Sequence, residues 1–256
     1  MPRFFSLLLL GLLAACGRHS PGDLPRPDGG GPRGADVDSV YSRAERLFRQ
    51  GKWTRSLEAF TQVAPALGSE DPRYLRYRFY LGEIHYARSE FLQATREFRR
   101  IADEVPEDSL APVALYRAGM AYRELWRKPQ LDPSYGQTAL QVFAEVAGRY
   151  PGTVAAARAQ IQIQELQEWS AEKEYRNARY YLRYKAHHSA ILVLRDLVAN
   201  YPRTRWAPLA LVLMVEAYRS LGYEEDREET CEYIRTYHPD VKDLAKVCPL
   251  PAAGSP

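Results

Sequence analysis

One spacing, four residues and then eight, recurs along this chain and confines it to a single kind of fold. Ala94, Phe98 and Pro106 are followed by Ala139, Phe143 and Pro151 and, with Leu in place of Phe, by Ala190, Leu194 and Pro202. A small and a large residue four apart lie on one face of a helix. The proline eight further on cannot continue that helix and sets the turn into the next element. Upstream of each set lies a first helix with its own small residue: Leu81-Gly82, Ala118-Gly119 with Tyr122, and Ala178 with Tyr181. Small residues there allow two antiparallel helices to approach closely. No stretch alternates with a strand period between hairpin turns, so an all-α chain is expected.

The pattern resembles the tetratricopeptide repeat, a helix-turn-helix unit of about 34 residues. Five units can be placed, near 37–70, 75–108, 112–153, 154–204 and 205–239, within a solenoid spanning 36–248. Ala44, Leu47, Gly51, Trp53 and Phe60 mark the first; Tyr218, Gly222 and Pro239 are in phase in the fifth. The third unit carries an insertion, Trp126 to Pro133, between its helices. From Val154 to Tyr184 there is neither Pro nor Gly, which predicts one long helix joining units three and four. Such units bury their apolar stripes only against neighbours, giving an elongated solenoid with a concave groove.

Before the repeats the chain changes character. Arg3 precedes an apolar run, Phe4 to Ala15, broken only by Ser6 and Gly11. This run is too short to span a membrane, which takes roughly 20 residues. It reads as a signal peptide over 1–15. Leu13-Ala14-Ala15-Cys16 resembles the bacterial lipobox, which implies diacylglycerol transfer to Cys16, cleavage before it and acylation of the new N-terminus. The alternative is an ordinary signal peptide with a chance cysteine. Gly17, rather than Asp, follows the cysteine, which by the bacterial sorting rule implies the outer membrane. Residues 16–35 hold four prolines and six glycines without apolar periodicity, so a disordered tether is expected. Its reach as a coil is about 25 Å, and at most about 60 Å. The tail 249–256 is expected to be disordered as well.

The precursor carries a formal charge of +3, one unit of it from Arg3, which is too little to argue for nucleic acid. Arginine outnumbers lysine and there are 18 tyrosines. Either base composition and helix packing or a binding surface of stacking rings and forked donors accounts for that. With Cys16 set aside, Cys231 and Cys248 remain as a potential pair in an oxidising compartment. Cys231 stands where the fifth unit's second helix needs an apolar residue, and Val241 to Val247 has room for about two short turns. A tail folded back would bring the α-carbons within about 7 Å. The other possibility is one core thiol and one tail thiol that never meet.

Finer matches resemble the BamD (YfiO) lipoproteins of the β-barrel assembly machinery. They are Ala114-Leu115-Tyr116-Arg117-Ala118-Gly119, the insertion end Asp132-Pro133-Ser134-Tyr135-Gly136-Gln137-Thr138, and the long-helix segment Leu166-Gln167-Glu168-Trp169-Ser170-Ala171-Glu172-Lys173-Glu174-Tyr175 running into Ala178-Arg179-Tyr180-Tyr181. Asn200-Tyr201-Pro202-Arg203-Thr204 and Glu216-Ala217-Tyr218 continue in register. The chain departs at Tyr184-Lys185-Ala186-His187, where the family usually has Arg-Gly-Ala and an aromatic. The resemblance implies a non-enzymatic, lipid-anchored subunit at the periplasmic face of the outer membrane. Its C-terminal half would bind the periplasmic domains of the central barrel subunit (BamA). Its N-terminal half would receive unfolded outer-membrane proteins through a C-terminal β-signal. Other roles on the same architecture are scaffolding for pilus assembly, the Tol system or a peptidoglycan enzyme.

No catalytic constellation stands out. Ser170-Ala171-Glu172-Lys173 fits the serine-x-x-lysine pattern but lacks its Ser-Asp-Asn and Lys-Thr-Gly partners. His187 and His188 are adjacent, which on a helix separates them by about 100° and suits a turn or groove pair better than a metal. No cofactor or metal site is expected beyond the lipid on Cys16. The repeat register places Tyr41, Glu45, Phe48, Arg76, Phe79, Glu83 and Tyr86 on the concave side, with Tyr80 flanking and Tyr116 extending the row. Either these bind an aromatic peptide ending in a carboxylate, with Arg76 as the fork, or they pack between helices. The lysine/asparagine carboxylate clamp of chaperone-binding repeats is absent, its places being taken by Phe79, Glu83 and Tyr116. Arg176, Arg179 and Arg183 form a stripe that either meets an acidic partner or is simply solvated.

Overall fold

The computed structural model describes residues 34–249, and Cys16, the tether up to residue 33 and the tail from residue 250 lie outside the described residues. Every regular element among the described residues is helical. Five antiparallel pairs follow one another: α1 (Gly34–Arg49) with α2 (Trp53–Val63), α3 (Tyr74–Ala87) with α4 (Phe91–Glu104), α5 (Ala111–Leu125) with α6 (Ser134–Arg149), α7 (Val154–Arg183) with α8 (His187–Asn200), and α9 (Trp206–Leu221) with α10 (Glu224–Tyr237). A 3-10 turn, Ala64–Ala66, extends α2, and a single turn, α11 (Leu244–Val247), closes the described chain. None of these helices is long and apolar enough to cross a membrane.

Each pair is held by a small residue on the first helix facing a large one on the second. A Cβ on Gly82 would sit 2.5 Å from the Phe98 ring, and one on Gly119 would sit 2.6 Å from the Phe143 ring. The separation is sixteen residues for Gly82/Phe98 and recurs as Ala44/Phe60, Ala178/Leu194 and Val215/Cys231; the insertion adds eight for Gly119/Phe143. All ten side-chain positions are buried. Gly or Ala faces Phe, Ala faces Leu, and the bulkier Val215 faces the small Cys231, so the interior is filled at close-packed density without forcing the helices apart.

Nine residues before the large member the chain must turn. Gly51, Ser89, Lys185 and Gly222 occupy that register position, and all four have φ between 59° and 73°. At each, the residue's own N–H and the next one bond back to carbonyls of the last helical turn, for example Lys185 to Leu182 (2.9 Å) and Ala186 to Tyr181 (3.0 Å). This is the glycine-type helix stop. The loss of a turn glycine at Lys185, anticipated from the family comparison, therefore leaves the turn itself intact, at a cost of about 1–2 kcal/mol for a side chain in the left-handed region.

The third unit solves its turn differently. Trp126, almost fully buried, lies so close to Gly136 that a Cβ there would meet its ring at 2.0 Å. The indole also meets Trp169 edge-on with centroids 5.5 Å apart, and Lys173 donates to the Leu131 carbonyl at 3.1 Å. The insertion is thus a brace against α7. That helix starts at Thr153, whose hydroxyl accepts the Ala156 N–H at 3.1 Å, and its 30 residues run through two cores. Leu166 and Trp169 pack with α4–α6, whereas Ala171, Tyr175 and Ala178 pack with α8 and α9.

Three local readings change. The first helix begins at Gly34 rather than after residue 35, with Asp36 in its first turn complementing the helix dipole. His187 and His188 open α8 instead of forming a turn. The segment 241–247 makes one short turn, not two, because Asp243 adopts φ 55°. Cys231 and Cys248 are joined by a disulfide with α-carbons 5.4 Å apart. Arg235 holds the Pro249 carbonyl at 3.2 Å, so the chain is pinned as far as that residue.

Two substitutions test this account with opposite signs. Gly82→Ala gains about 1 kcal/mol of helix propensity, but it drives a methyl into Phe98. A net loss of about 1–3 kcal/mol in denaturant unfolding is expected; a neutral or stabilised variant would disprove the close contact. Lys185→Gly relieves the left-handed residue and should gain about 1 kcal/mol in the same assay.

Candidate peptide-binding groove and partner surface

The first helices of successive units line one side of the solenoid, and most of the groove residues expected from the repeat register stitch these helices together. Tyr80 of α3 donates to Glu45 of α1 at 3.0 Å and stacks on Phe60 at 5.4 Å. Phe48 fills the corner between Trp53 (5.3 Å) and Tyr80 (4.7 Å). Arg117 of α5 forks onto both Glu83 oxygens, at 2.5 and 2.7 Å, and its guanidinium lies 4.1 Å from the Tyr86 ring. Tyr86 in turn donates to Glu124 at 3.2 Å. The series continues where Arg123 bonds to Gln162 and pairs with Glu165 at 2.9 Å. Arg117, Glu124, Arg123 and Gln162 were not singled out from the sequence, although Arg117 lies inside a quoted motif. Their role depends on which units are adjacent.

Tyr41 departs furthest from a binding role. It is buried edge-on against Phe60 at 5.5 Å, with Arg73 over its ring, and its hydroxyl has no hydrogen-bond partner. Burial, with Glu45 as a lesser cause, pushes its phenol far above the ordinary tyrosine value. Burial also raises Tyr80 and Tyr86, with their carboxylate partners adding to the effect. Phe79 leans edge-on against Phe98 at 5.5 Å, and Tyr116 tilts over Phe143 at 5.6 Å; both are half-buried.

What stays open is the edge of the groove near the loop between units two and three. A pocket of about 410 Å³ is lined there by Pro72, Leu75, Arg76, Phe79, Tyr80, Asp108, Ser109 and Leu110, with the Asp108 carboxylate accepting the Leu110 N–H at 2.7 Å. Arg76 is exposed and makes no ion pair among the described residues. A free guanidinium over aromatic and aliphatic walls suits a peptide end with a carboxylate and a bulky apolar residue.

The second candidate surface is the far half of α7, where Arg176, Arg179 and Arg183 are all exposed. Arg176 is neutralised by Glu172 at 2.7 Å, and Arg183 lies 5.8 Å over the Tyr180 ring. Tyr180 and Tyr184, at 51% and 67% exposure, stack 4.7 Å apart beside them. The patch is therefore as aromatic as it is basic.

The residues with catalytic overtones are engaged elsewhere. Ser170 is buried and donates to the Leu166 carbonyl at 3.0 Å. His188 meets the Tyr223 hydroxyl at 3.1 Å. Among the described residues no group of three or more potential ligands is placed to hold a metal.

The family profile named YfiO, described as outer membrane lipoprotein, matches residues 35–233, both candidate surfaces included. The chain belongs to the YfiO family. Relatives include an outer membrane protein assembly factor BamD of Caulobacter vibrioides, 27% identical over 191 residues, 74% of this chain and 62% of that protein. Another is the BamD of Neisseria gonorrhoeae, 24% identical across 93% of this chain and 92% of its own length. The match therefore spans under two thirds of the Caulobacter YfiO relative but nearly all of the Neisseria one. Among solved structures, the TPR2AB-domain:pHSP90 complex of yeast Sti1 overlays at a TM-score of 0.45 with 13% identity, over 81% of this chain and 80% of that one.

The raised phenols fix a pH window. A tyrosine whose folded value exceeds its unfolded value, about 10, stabilises the fold fully below about pH 10 and loses that contribution as pH rises beyond it. Stability to denaturant should hold up to about pH 9 and then fall as tyrosinate absorbance appears. Tyr41→Phe removes an unpartnered buried hydroxyl, so it should leave stability at neutral pH unchanged or raise it by up to about 1 kcal/mol and blunt the alkaline loss. A marked loss at neutral pH would show that the hydroxyl is bonded after all.

Proposed function

We propose that this protein is a periplasmic, lipid-anchored assembly factor of the outer membrane. It scaffolds the β-barrel assembly machinery and receives unfolded outer-membrane proteins. The observation that carries this reading is the YfiO match across 35–233, supported by relatives that bear the name outer membrane protein assembly factor. In this reading Cys16 carries the acyl and diacylglycerol chains. The tether then sets the solenoid within its reach of about 60 Å from the inner leaflet.

The two halves divide the work. The pocket at Arg76 takes the C-terminal end of an unfolded barrel protein, with its carboxylate on the guanidinium and its terminal aromatic against Phe79 and Tyr80. Binding there uses a rigid, pre-stitched groove, so little ordering of the receptor opposes it. The C-terminal half binds the periplasmic domains of the central barrel subunit through the α7 patch. There Arg179 and Arg183 supply charge, while Tyr180 and Tyr184 supply the rigid aromatic area typical of interface hot spots.

Three experiments separate these claims. A photo-crosslinker at Phe79 should capture peptides with an aromatic C-terminus, whereas one at Leu92, exposed on α4, should not; equal labelling would remove the receptor role. Reversing Arg176, Arg179 and Arg183 to Glu should abolish co-purification of the central barrel subunit, with wild-type binding weakening as salt is raised. Undiminished co-purification would leave the stripe a solvated face. Cys16→Ser should release the protein from the outer-membrane fraction, and retention there would refute the lipid anchor.

A further inference from the structure

The repeat register allows the gaps between neighbouring second helices to be compared position by position, taking Phe98, Phe143, Leu194 and Cys231 as equivalent. Between α4 and α6 the gap is closed by charge. Arg99, one past the large residue, pairs with Glu145, two past its own, at 3.2 Å. Arg149, six past, lies 3.9 Å from Asp103 and donates to the Ala102 carbonyl at 3.0 Å.

Between α8 and α10 the same positions carry different chemistry. Glu145 is replaced by Tyr233 and Arg149 by Tyr237, while Val198 and Ala199 stand for Ala102 and Asp103. Arg195, the counterpart of Arg99, turns to Asp226 and to the Tyr218 hydroxyl, both at 3.0 Å. One ionic bridge therefore remains, near the start of α10, but the positions of Glu145 and Arg149 carry no charge and nothing replaces their two bridges. What remains is a cavity of about 480 Å³, with Leu211 and Met214 as its floor, Val198, Ala199 and Tyr233 on its walls, and the mutually neutralised Arg195–Asp226 pair also in its lining. Tyr233 also stacks on Tyr237 with centroids 4.7 Å apart, the two rings 41% and 65% exposed.

One wall is strongly acidic. Helix α10 carries Glu224, Glu225, Asp226, Glu228, Glu229 and Glu232 against Arg227 and Arg235. Three of these acids are paired, with Arg227, Arg235 and Arg195. Glu225, Glu229 and Glu232 are exposed and make no ion pair among the described residues, and Glu229 lines the cavity.

We infer that the groove between α8 and α10, on the convex side, is a docking site for a basic amphipathic helix of a partner protein. The occupant follows from shape and charge. Two flanking helices of 14 residues each frame a slot that a helix of about 21 Å fills along its length. An apolar stripe would rest on Leu211 and Met214, and lysines or arginines on one flank would meet Glu225, Glu229 and Glu232. The α7 stripe selects the opposite charge, so the two surfaces take different partners, and this inference does not rest on the assembly role proposed above.

The test uses the full chain and a fluorescent helical peptide of about four turns with leucines on one stripe and lysines flanking it. A second peptide keeps the leucines and replaces lysine with glutamate. Anisotropy should show saturable micromolar binding of the basic peptide and at least about tenfold weaker binding of the acidic one. The double reversal Glu229→Lys with Glu232→Lys should invert that preference, a result that mere loss of fold would not give. Ala199→Trp, which fills the slot, should weaken the basic peptide by about tenfold at an unchanged melting temperature, and reversing the α7 arginines should leave it unaffected. Equal affinity for the two peptides, or a preference unmoved by the double reversal, would overturn the inference. So would crosslinking of the basic peptide to the concave side.

Discussion

A ring resting where another residue's side chain would be is the contact on which this molecule depends. Phe98 over Gly82 and Phe143 over Gly119 set the distance between paired helices. That distance fixes how each pair meets the next. From the second unit to the fifth the pairs trade volume, Gly/Phe, Ala/Leu and Val/Cys, so that the sum changes little while the individual side chains change. A solenoid tolerates such exchange because each unit answers only to its neighbours. It does not tolerate both members growing, since no layer beyond the pair can yield.

Once the pair distance is set, the surfaces follow from what bridges adjacent units. On the concave side the bridges are polar and aromatic together: Tyr80 to Glu45, Arg117 to Glu83, Arg123 to Gln162. These half-buried bonds gain strength from shielding and fix the angle between units. The groove is accordingly rigid, and at its edge Arg76 makes no ion pair among the described residues. On the convex side Arg99–Glu145 and Arg149–Asp103 bridge α4 and α6, while Arg195–Asp226 bridges α8 and α10 and tyrosines replace Glu145 and Arg149. One repeat pattern thus yields a closed face in one half and an open one in the other.

The long helix α7 links the halves without a hinge. Its first part belongs to the core around Phe143 and its last part to the core around Leu194. Trp126 and Lys173 tie the insertion to it midway. A displacement of one half would have to bend 30 residues of continuous helix and disturb the Trp126–Trp169 contact. Surfaces on both halves are therefore presented in a fixed relation.

Much of this was legible in the sequence because it is periodic. The four-and-eight spacing gave the helix pairs, the Pro- and Gly-free run gave α7, and the small residues at Gly82 and Gly119 marked the close approach. Local pattern suffices for such features, since residues four apart on a helix share a face whatever surrounds them. The exposure of Arg76 and of the α7 arginines also agreed with the register. Tertiary structure decided the rest. Only the packing of unit against unit showed that Tyr41 is interior, that Glu83 and Tyr86 are engaged by Arg117 and Glu124, and that Trp126 is a core residue rather than a loop residue. The open groove at Val198 and Tyr233 was equally hidden. A side chain's periodicity says which way it points along its own helix, but its freedom to bind depends on what another helix, far away in sequence, places opposite it.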